Sequence, residues 1–201
     1  MEELIEYLRK FGGIGDAHEA LIRKQATELT LCRYDIFLEL GEVPSRIGYV
    51  ANGALGAVRC DPCGGEVIDW FAVERTFVTG FSQFVRRMPS EVSVQAVTDS
   101  QMIVFGEANI RELSRNVSGW EEILKNLSNR DAVDWLARRQ SISGHDARTR
   151  YLDFESRYPD LVDRIPQSMI SAYLGLAPAT VSRIRKSVRR DLSQVNVARP
   201  K

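Results

Sequence analysis

The 201-residue sequence predicts an α+β chain in three successive parts: a domain of short strands with flanking helices, one long helix, and a C-terminal helix-turn-helix. Three observations predict it. Apolar residues recur at helical spacing at both ends of the chain, whereas between residues 27 and 106 short runs rich in Val, Ile, Phe and Tyr alternate with turn residues. A 44% hydrophobic content is ordinary for a globular protein and suffices for a sizeable core. Gln167 to Ser187, QSMISAYLGLAPATVSRIRKS, places small and apolar residues where two short helices lock at a tight reversal.

Taken in order, Leu4, Ile5, Leu8 and Phe11 give a first helix before Gly12-Gly13, and His18 to Gln25 a second. Strands are expected near 27–32, 35–40, 46–51, 54–60, 65–72, 91–97 and 101–106, separated by Gly41, Pro44, Asn52-Gly53, Pro62 and Gly64-Gly65. Strands so short and so closely spaced make a sandwich, jelly roll or barrel. From 107 to 142 the helical period returns, interrupted only by Gly119, and predicts one long helix carrying Trp120, Ile123, Leu124, Leu127, Val133, Trp135, Leu136 and Ala137. Its apolar residues cover more than one stripe, so it is expected to pack on its own β domain and on a second subunit. Ser141 to Asp146, containing Gly144, links it to the last domain.

In that domain Ile170 and Leu174 share a face, Gly175 sits at the reversal, and Leu176, Val181 and Ile184 supply the facing surface. Ser171 is small enough for close approach, and Pro178, tolerated only in a first helical turn, starts the second helix near Ala177 or Pro178. With Val181, Ile184 and Val188 inward, Ala179, Thr180, Ser182, Arg183, Lys186 and Arg190 lie on opposite or flanking faces, in a pattern suited to a major groove.

Charge points the same way. The 27 cations and 27 anions give zero net charge, but residues 144–201 hold 11 Lys and Arg against 6 Asp and Glu, leaving 16 against 21 before them. Arg183, Arg185, Lys186, Arg189 and Arg190 fall within eight residues, an electrostatic footprint for phosphate. The other reading is an effector-binding or protein-interaction module whose basic domain contacts a protein partner. No apolar run approaches the eighteen or so residues of a membrane span, and the N-terminus is amphipathic rather than a signal peptide, which predicts a cytoplasmic protein.

The order of elements resembles the Crp/Fnr family of transcription regulators over essentially the whole chain. IGYVANGALGAVR, GGEVIDWFAVERTFV, VSVQAVTDSQMIVF and ARTRYLDF are similar to successive family segments, and IPQSMISAYLGLAPATVSRIRK is most similar to the Bacteroidetes-type branch. The resemblance implies an N-terminal cyclic-nucleotide-binding-like jelly roll at 1–116 and a dimerisation helix at 117–143. It further implies a winged helix-turn-helix at 144–201, a homodimer, double-stranded DNA and RNA polymerase as partners, and no enzymatic activity. Carried over by position, Arg183 reads a base, Thr180 lies near DNA, and Gln167 and Ser168 contact phosphate. Pro178 and Ala179 replace the Arg and Glu of members that recognise the best-known half-site, so a different operator is expected. The residues after Leu192, SQVNVARPK, offer one strand, so the wing is expected to be reduced or placed before Gln167.

The family's nucleotide cassette falls on Phe77 to Ala96. Thr79 and Gly80 stand where cyclic AMP binders have Gly-Glu, and Ser90 and Glu91 where they have Arg-Ser; Arg86 and Arg87 lie nearby. The effector expected for a pocket at these four positions is an unknown small molecule other than cyclic AMP, and no cofactor is predicted. Cys60 and Cys63 form a C-x-x-C at a hairpin tip, two ligands where a closed metal site needs about four. They are a candidate thiol pair, and no metal is assigned. The β region contains no His, and G-x-S-x-G, H-E-x-x-H, P-loop and dinucleotide motifs are absent from the sequence, against a cupin-like or other enzyme.

Overall fold

The computed structural model describes residues 1–10, 14–62, 64–129 and 145–197. Phe11, Cys63, Val133, Trp135, Leu136, Ala137 and most of the 141–146 link lie outside them. Two helices, α1 (Glu2–Arg9) and α2 (Asp16–Gln25), lead into eight strands: β1 (Thr27–Leu31), β2 (Ile36–Leu38), β3 (Arg46–Asn52), β4 (Leu55–Cys60), β5 (Glu66–Ala72), β6 (Phe77–Val78), β7 (Ser93–Ala96) and β8 (Ser100–Gly106). A short helix, α3 (Phe81–Arg86), joins β6 to β7. The strands form two antiparallel four-stranded sheets, ordered β1-β8-β3-β6 and β2-β7-β4-β5.

All eight strands feed one inner core, including Leu31, Phe37, Val50, Leu55, Ala72, Val78, Val94 and Met102, so the sheets face each other as a sandwich. Period-two alternation assigns the faces. On β3, Ile47 and Tyr49 point outward into a second core with Leu4, Ile5, Leu8, Phe105 and Ile110, while Val50 points inward. Burial pushes the Tyr49 phenol up to about 12. Gly53 turns β3 into β4 at φ 97°, and a Cβ there would meet Ser100 Oγ at 2.3 Å and the Asp99 carbonyl oxygen at 2.5 Å. No other residue fits that turn without displacement.

The single long helix expected from residue 107 is instead two. α4 (Glu107–Asn116) ends where Val117 turns extended, and Gly119, at φ 85°, redirects the chain into α5, helical over 120–129. The break lets Ile110 and Leu113 of α4 and Trp120, Ile123 and Leu127 of α5 enter the same outer core beside α1. Leu127 therefore faces its own β domain.

Three helices complete the described chain: α6 (Ala147–Arg157), α7 (Gln167–Leu174) and α8 (Pro178–Val197). Asp146 caps α6 by accepting from Thr149 N at 2.9 Å, which holds its carboxyl below the ordinary range. The strand expected after Leu192 does not form, because α8 continues through Val197. Nothing from Ala179 to Val197 breaks a helix, and a lone strand without a neighbour would leave its backbone unpaired. No strand occurs among the described residues between 147 and 197, so the expected wing is missing from them.

The C-terminal helices dock on the sandwich through a third core. Ala54, Ile68, Phe71 and Val97 join Tyr151, Phe154, Tyr158, Leu161, Met169, Ile170 and Tyr173. Phe71 stacks on Tyr173 at 5.3 Å and meets Tyr158 edge-on at 5.7 Å, and the Tyr158 hydroxyl donates to the Phe71 carbonyl oxygen at 3.3 Å. Beside them Arg164 grips Glu74 through Nη2 at 2.7 Å and Nη1 at 3.1 Å, and Glu74 Oε1 also accepts from Gly53 N at 2.8 Å. Burial alone would raise the Glu74 pKa, but the bonds from Arg164 and Gly53 outweigh it and hold the carboxyl below its ordinary range.

Two outcomes follow. Leu127→Asp is expected to lower the stability of the fold by about 3 kcal/mol or more, since it buries a carboxylate among apolar side chains; urea unfolding checks this, and a variant as stable as the parent would remove Leu127 from the core. Glu74→Gln is expected to cost about 1 kcal/mol at neutral pH. A carboxylate with a lowered folded pKa contributes fully above its unfolded value and loses that contribution as pH falls through the folded one, so the deficit should shrink at an acidic pH below the ordinary carboxylate range. Urea unfolding of parent and variant at the two pH values measures it, and a deficit independent of pH counts against the clamp.

Candidate nucleic-acid interface

The α7–α8 unit is held by its turn. Gly175 adopts the left-handed conformation, φ 63° and ψ 38°, and its N–H and that of Leu176 both donate to the Ser171 carbonyl oxygen. Ser171 is buried and its Oγ donates to the Gln167 carbonyl oxygen at 2.9 Å, so no side chain larger than a hydroxymethyl keeps the helices apart there. Gln167 Nε2 donates to the Pro178 carbonyl oxygen at 2.7 Å, tying the start of one helix to the start of the other. Arg150 Nη1 donates to the Leu174 carbonyl oxygen at 3.2 Å, placing a cation at the negative end of α7.

On α8, Val181 and Val188 are buried and Ile184 is half-buried against α7 and α6. The five-cation cluster then divides. Arg185 and Arg189 both pair with Asp163, Arg189 at 2.9 Å. Charge alone would assign Arg189 to phosphate; the structure gives it an internal partner. Arg183, Lys186 and Arg190 are exposed and form no ion pair among the described residues. With Ala179 they occupy positions 179, 183, 186 and 190, one stripe of the helix. Thr180 and Ser182 flank it, half-buried. Arg183 lies back along its own helix, with Nη2 3.5 Å from Thr180 Oγ1. Ser168 is exposed in the first turn of α7, where the leading amides have no intrahelical acceptor and Pro166 supplies no capping side chain. Gln167, like Arg185 and Arg189, is thus spent on the unit's own geometry.

Solved structures with this arrangement include FixK2 of Bradyrhizobium japonicum, with a TM-score of 0.73 and 14% identity over 83% of this chain and 85% of that one. A candidate transcriptional regulator of the Crp/Fnr family from Eubacterium rectale gives 0.67 and 14% over 89% and 85%. The c-di-GMP responsive regulator CLP of Xanthomonas campestris gives 0.66 and 13% over 88% and 93%. The fold is that of the Crp/Fnr regulators. No family model and no curated protein sequence matches the chain.

Within this Crp/Fnr fold the cassette residues separate. Thr79 is buried and its Oγ1 donates to the Arg46 carbonyl oxygen at 2.9 Å. Gly80 opens α3, close against Pro44 and Gln83. Ser90 is buried, donating to the Val92 carbonyl oxygen at 2.7 Å and accepting from Val92 N at 3.3 Å. Glu91 is exposed. Both buried hydroxyls thus give their protons to backbone, and Arg87 pairs with Glu107. Cys60 and Cys32 are exposed, and among the described residues no three metal-ligating side chains gather. Cyclic AMP is therefore expected to show no low-micromolar binding by isothermal titration; a Kd in that range would mean that an arginine near these positions, Arg86, Arg87 or Arg46, takes the phosphate.

Proposed function

We propose that this chain is a homodimeric, DNA-binding transcription regulator of the Crp/Fnr type, acting in the cytoplasm and controlled by a small molecule other than cyclic AMP. One observation carries the reading. On α8 the cations with acidic partners, Arg185 and Arg189, lie towards Asp163, while Arg183, Lys186 and Arg190 stand on the open stripe opposite the buried valines. In this reading Arg183 contacts a guanine edge, Ala179, Thr180 and Ser182 line the same groove, and Lys186, Arg190, Ser168 and the first amides of α7 hold phosphates. Gln167 contributes by fixing the α7–α8 angle. The fold likeness to FixK2 and to CLP supports the same assignment. We read residues 1–116 as the effector domain, its strand order as a jelly roll, 117–143 as the dimerisation segment and 144–201 as the DNA-binding domain.

The expected operator is near-palindromic, with half-site centres about one helical turn, ~34 Å, apart. Arg183→Ala should cost about 1–3 kcal/mol per half-site and relax preference at one base pair. Arg190→Ala should weaken all sequences alike and flatten the salt dependence by about two contacts per dimer. Arg189→Ala should leave the salt dependence as it is, because that side chain serves Asp163. Binding isotherms on matched and mismatched duplexes across a salt series separate the three. Affinity that does not change with salt would move the basic face to a protein partner.

A further inference from the structure

The first residue of β3 is a half-buried cation, Arg46, that lies outside the 77–96 segment. Side chains alternate along β3: Ile47 and Tyr49 join the outer core, Val50 the inner one, and a Cβ on Gly48 would point at Met102 and Phe37 of the inner core. Arg46, at the first residue of the strand, therefore shares the inner face. Its guanidinium carbon lies 4.6 Å from the centroid of the buried Phe37 ring, and Nη2 donates to the Phe37 carbonyl oxygen at 2.5 Å.

Both buried hydroxyls of the cassette sit on segments bonded to this arginine or to its platform. Thr79 Oγ1 donates to the Arg46 carbonyl oxygen. The loop that continues from Phe37 and Leu38 is pinned to Ser90 by two backbone bonds of 2.8 Å, Gly41 N to the Ser90 carbonyl oxygen and Ser90 N to that of Glu42. No carboxylate pairs with Arg46 among the described residues. Glu107, which follows its register partner Gly106 and donates its N–H to the Ser45 carbonyl oxygen, is already shared by Arg87 and Arg111.

A guanidinium laid on an aromatic ring, with one N–H bonded to backbone and no counter-ion, is oriented to offer its remaining N–H groups to a planar pair of oxygens. Half-burial strengthens that attraction relative to a surface arginine. We infer that Arg46 binds a small oxyanion, a phosphate or a carboxylate, at the start of β3 beside Phe37. The cation comes from β3, not from the segment before β7 that carries Ser90 and Glu91. This site is independent of the DNA reading, and its test contains no DNA.

The test is thermal unfolding of the full chain in sodium phosphate and, separately, in sodium acetate, each titrated against chloride at constant ionic strength. One of the two anions is expected to raise Tm saturably by about 3–6 °C, and which one does so distinguishes phosphate from carboxylate. Arg46→Met, which keeps an apolar stem on Phe37, should abolish the shift. Arg46→Lys keeps the charge without the fork and should weaken apparent affinity at least about tenfold. Arg86→Met, at the exposed end of α3, should respond like the parent. No saturable shift with either anion overturns the inference, as does a shift retained in Arg46→Met, where Arg46 would only stack on Phe37. If Arg46→Met does not fold, Arg46→Lys decides, and a response equal to the parent's overturns the site.

Discussion

Phe71 is the residue on which the arrangement of this molecule turns. It belongs to β5, yet its ring points away from the sandwich into Phe154, Tyr158 and Tyr173. Its neighbour Ala72 faces the inner core, so one strand completes two cores with alternate side chains. The described C-terminal helices, residues 145–197, make a small unit with a correspondingly small core of their own. They complete it with Ala54, Ile68, Phe71 and Val97 of the sandwich. Aromatic pairs each add about 0.5–1.5 kcal/mol beyond their buried area. The Arg164 grip on Glu74 then fixes the rotation about that greasy contact, because a bidentate pair tolerates little sliding.

Asp163 has a comparable organising effect on a smaller scale. Six residues after α6 it faces the inner flank of α8 and takes both Arg185 and Arg189. Exposed pairs of this kind contribute little stability. What they do is sort charge: two cations are neutralised along one flank of α8, and Arg183, Lys186 and Arg190 stay uncompensated on the stripe opposite the buried valines. Arg148, paired with Asp191 at 2.6 Å, anchors the same helix two residues beyond Arg189. The surface potential is therefore steeper across α8 than its composition suggests.

Much of this was legible in the sequence. Every strand expected from period and punctuation formed within a few residues of its predicted bounds, because Val, Ile and Phe at alternate positions and Gly at the turns are local signals. The helix-turn-helix was legible for the same reason: Ile170, Leu174, Gly175 and Val181 lie within twelve residues of one another. Distant pairings left no such trace. Glu74 and Arg164 are separated by 90 positions, and neither is unusual in its local context. The sequence around Arg46 marks a strand but not the ring that its side chain meets, nine positions away on β2. The helix break at 117–119 was visible only as Gly119, whose left-handed φ is required by the packing of α4 and α5 on one core. The continuation of α8 to Val197 was not legible, since a strand there depends on a distant neighbour to pair with and none occurs among the described residues from 147 to 197.

If α8 reads DNA as proposed, the length of its open stripe sets how much sequence one copy of the chain can distinguish. From Ala179 to Arg190 the stripe rises about 16 Å along α8, at 1.5 Å per residue. Base pairs stack every 3.4 Å or so, which places at most about five of them alongside it. A five-base-pair word recurs about once per thousand positions, whereas a genome offers on the order of a million competing sites or more. One copy of this helix therefore carries too little information to single out a locus. Uniqueness requires a second reader at fixed distance and phase, and the constraint falls on whatever sets that distance, not on further contacts from α8.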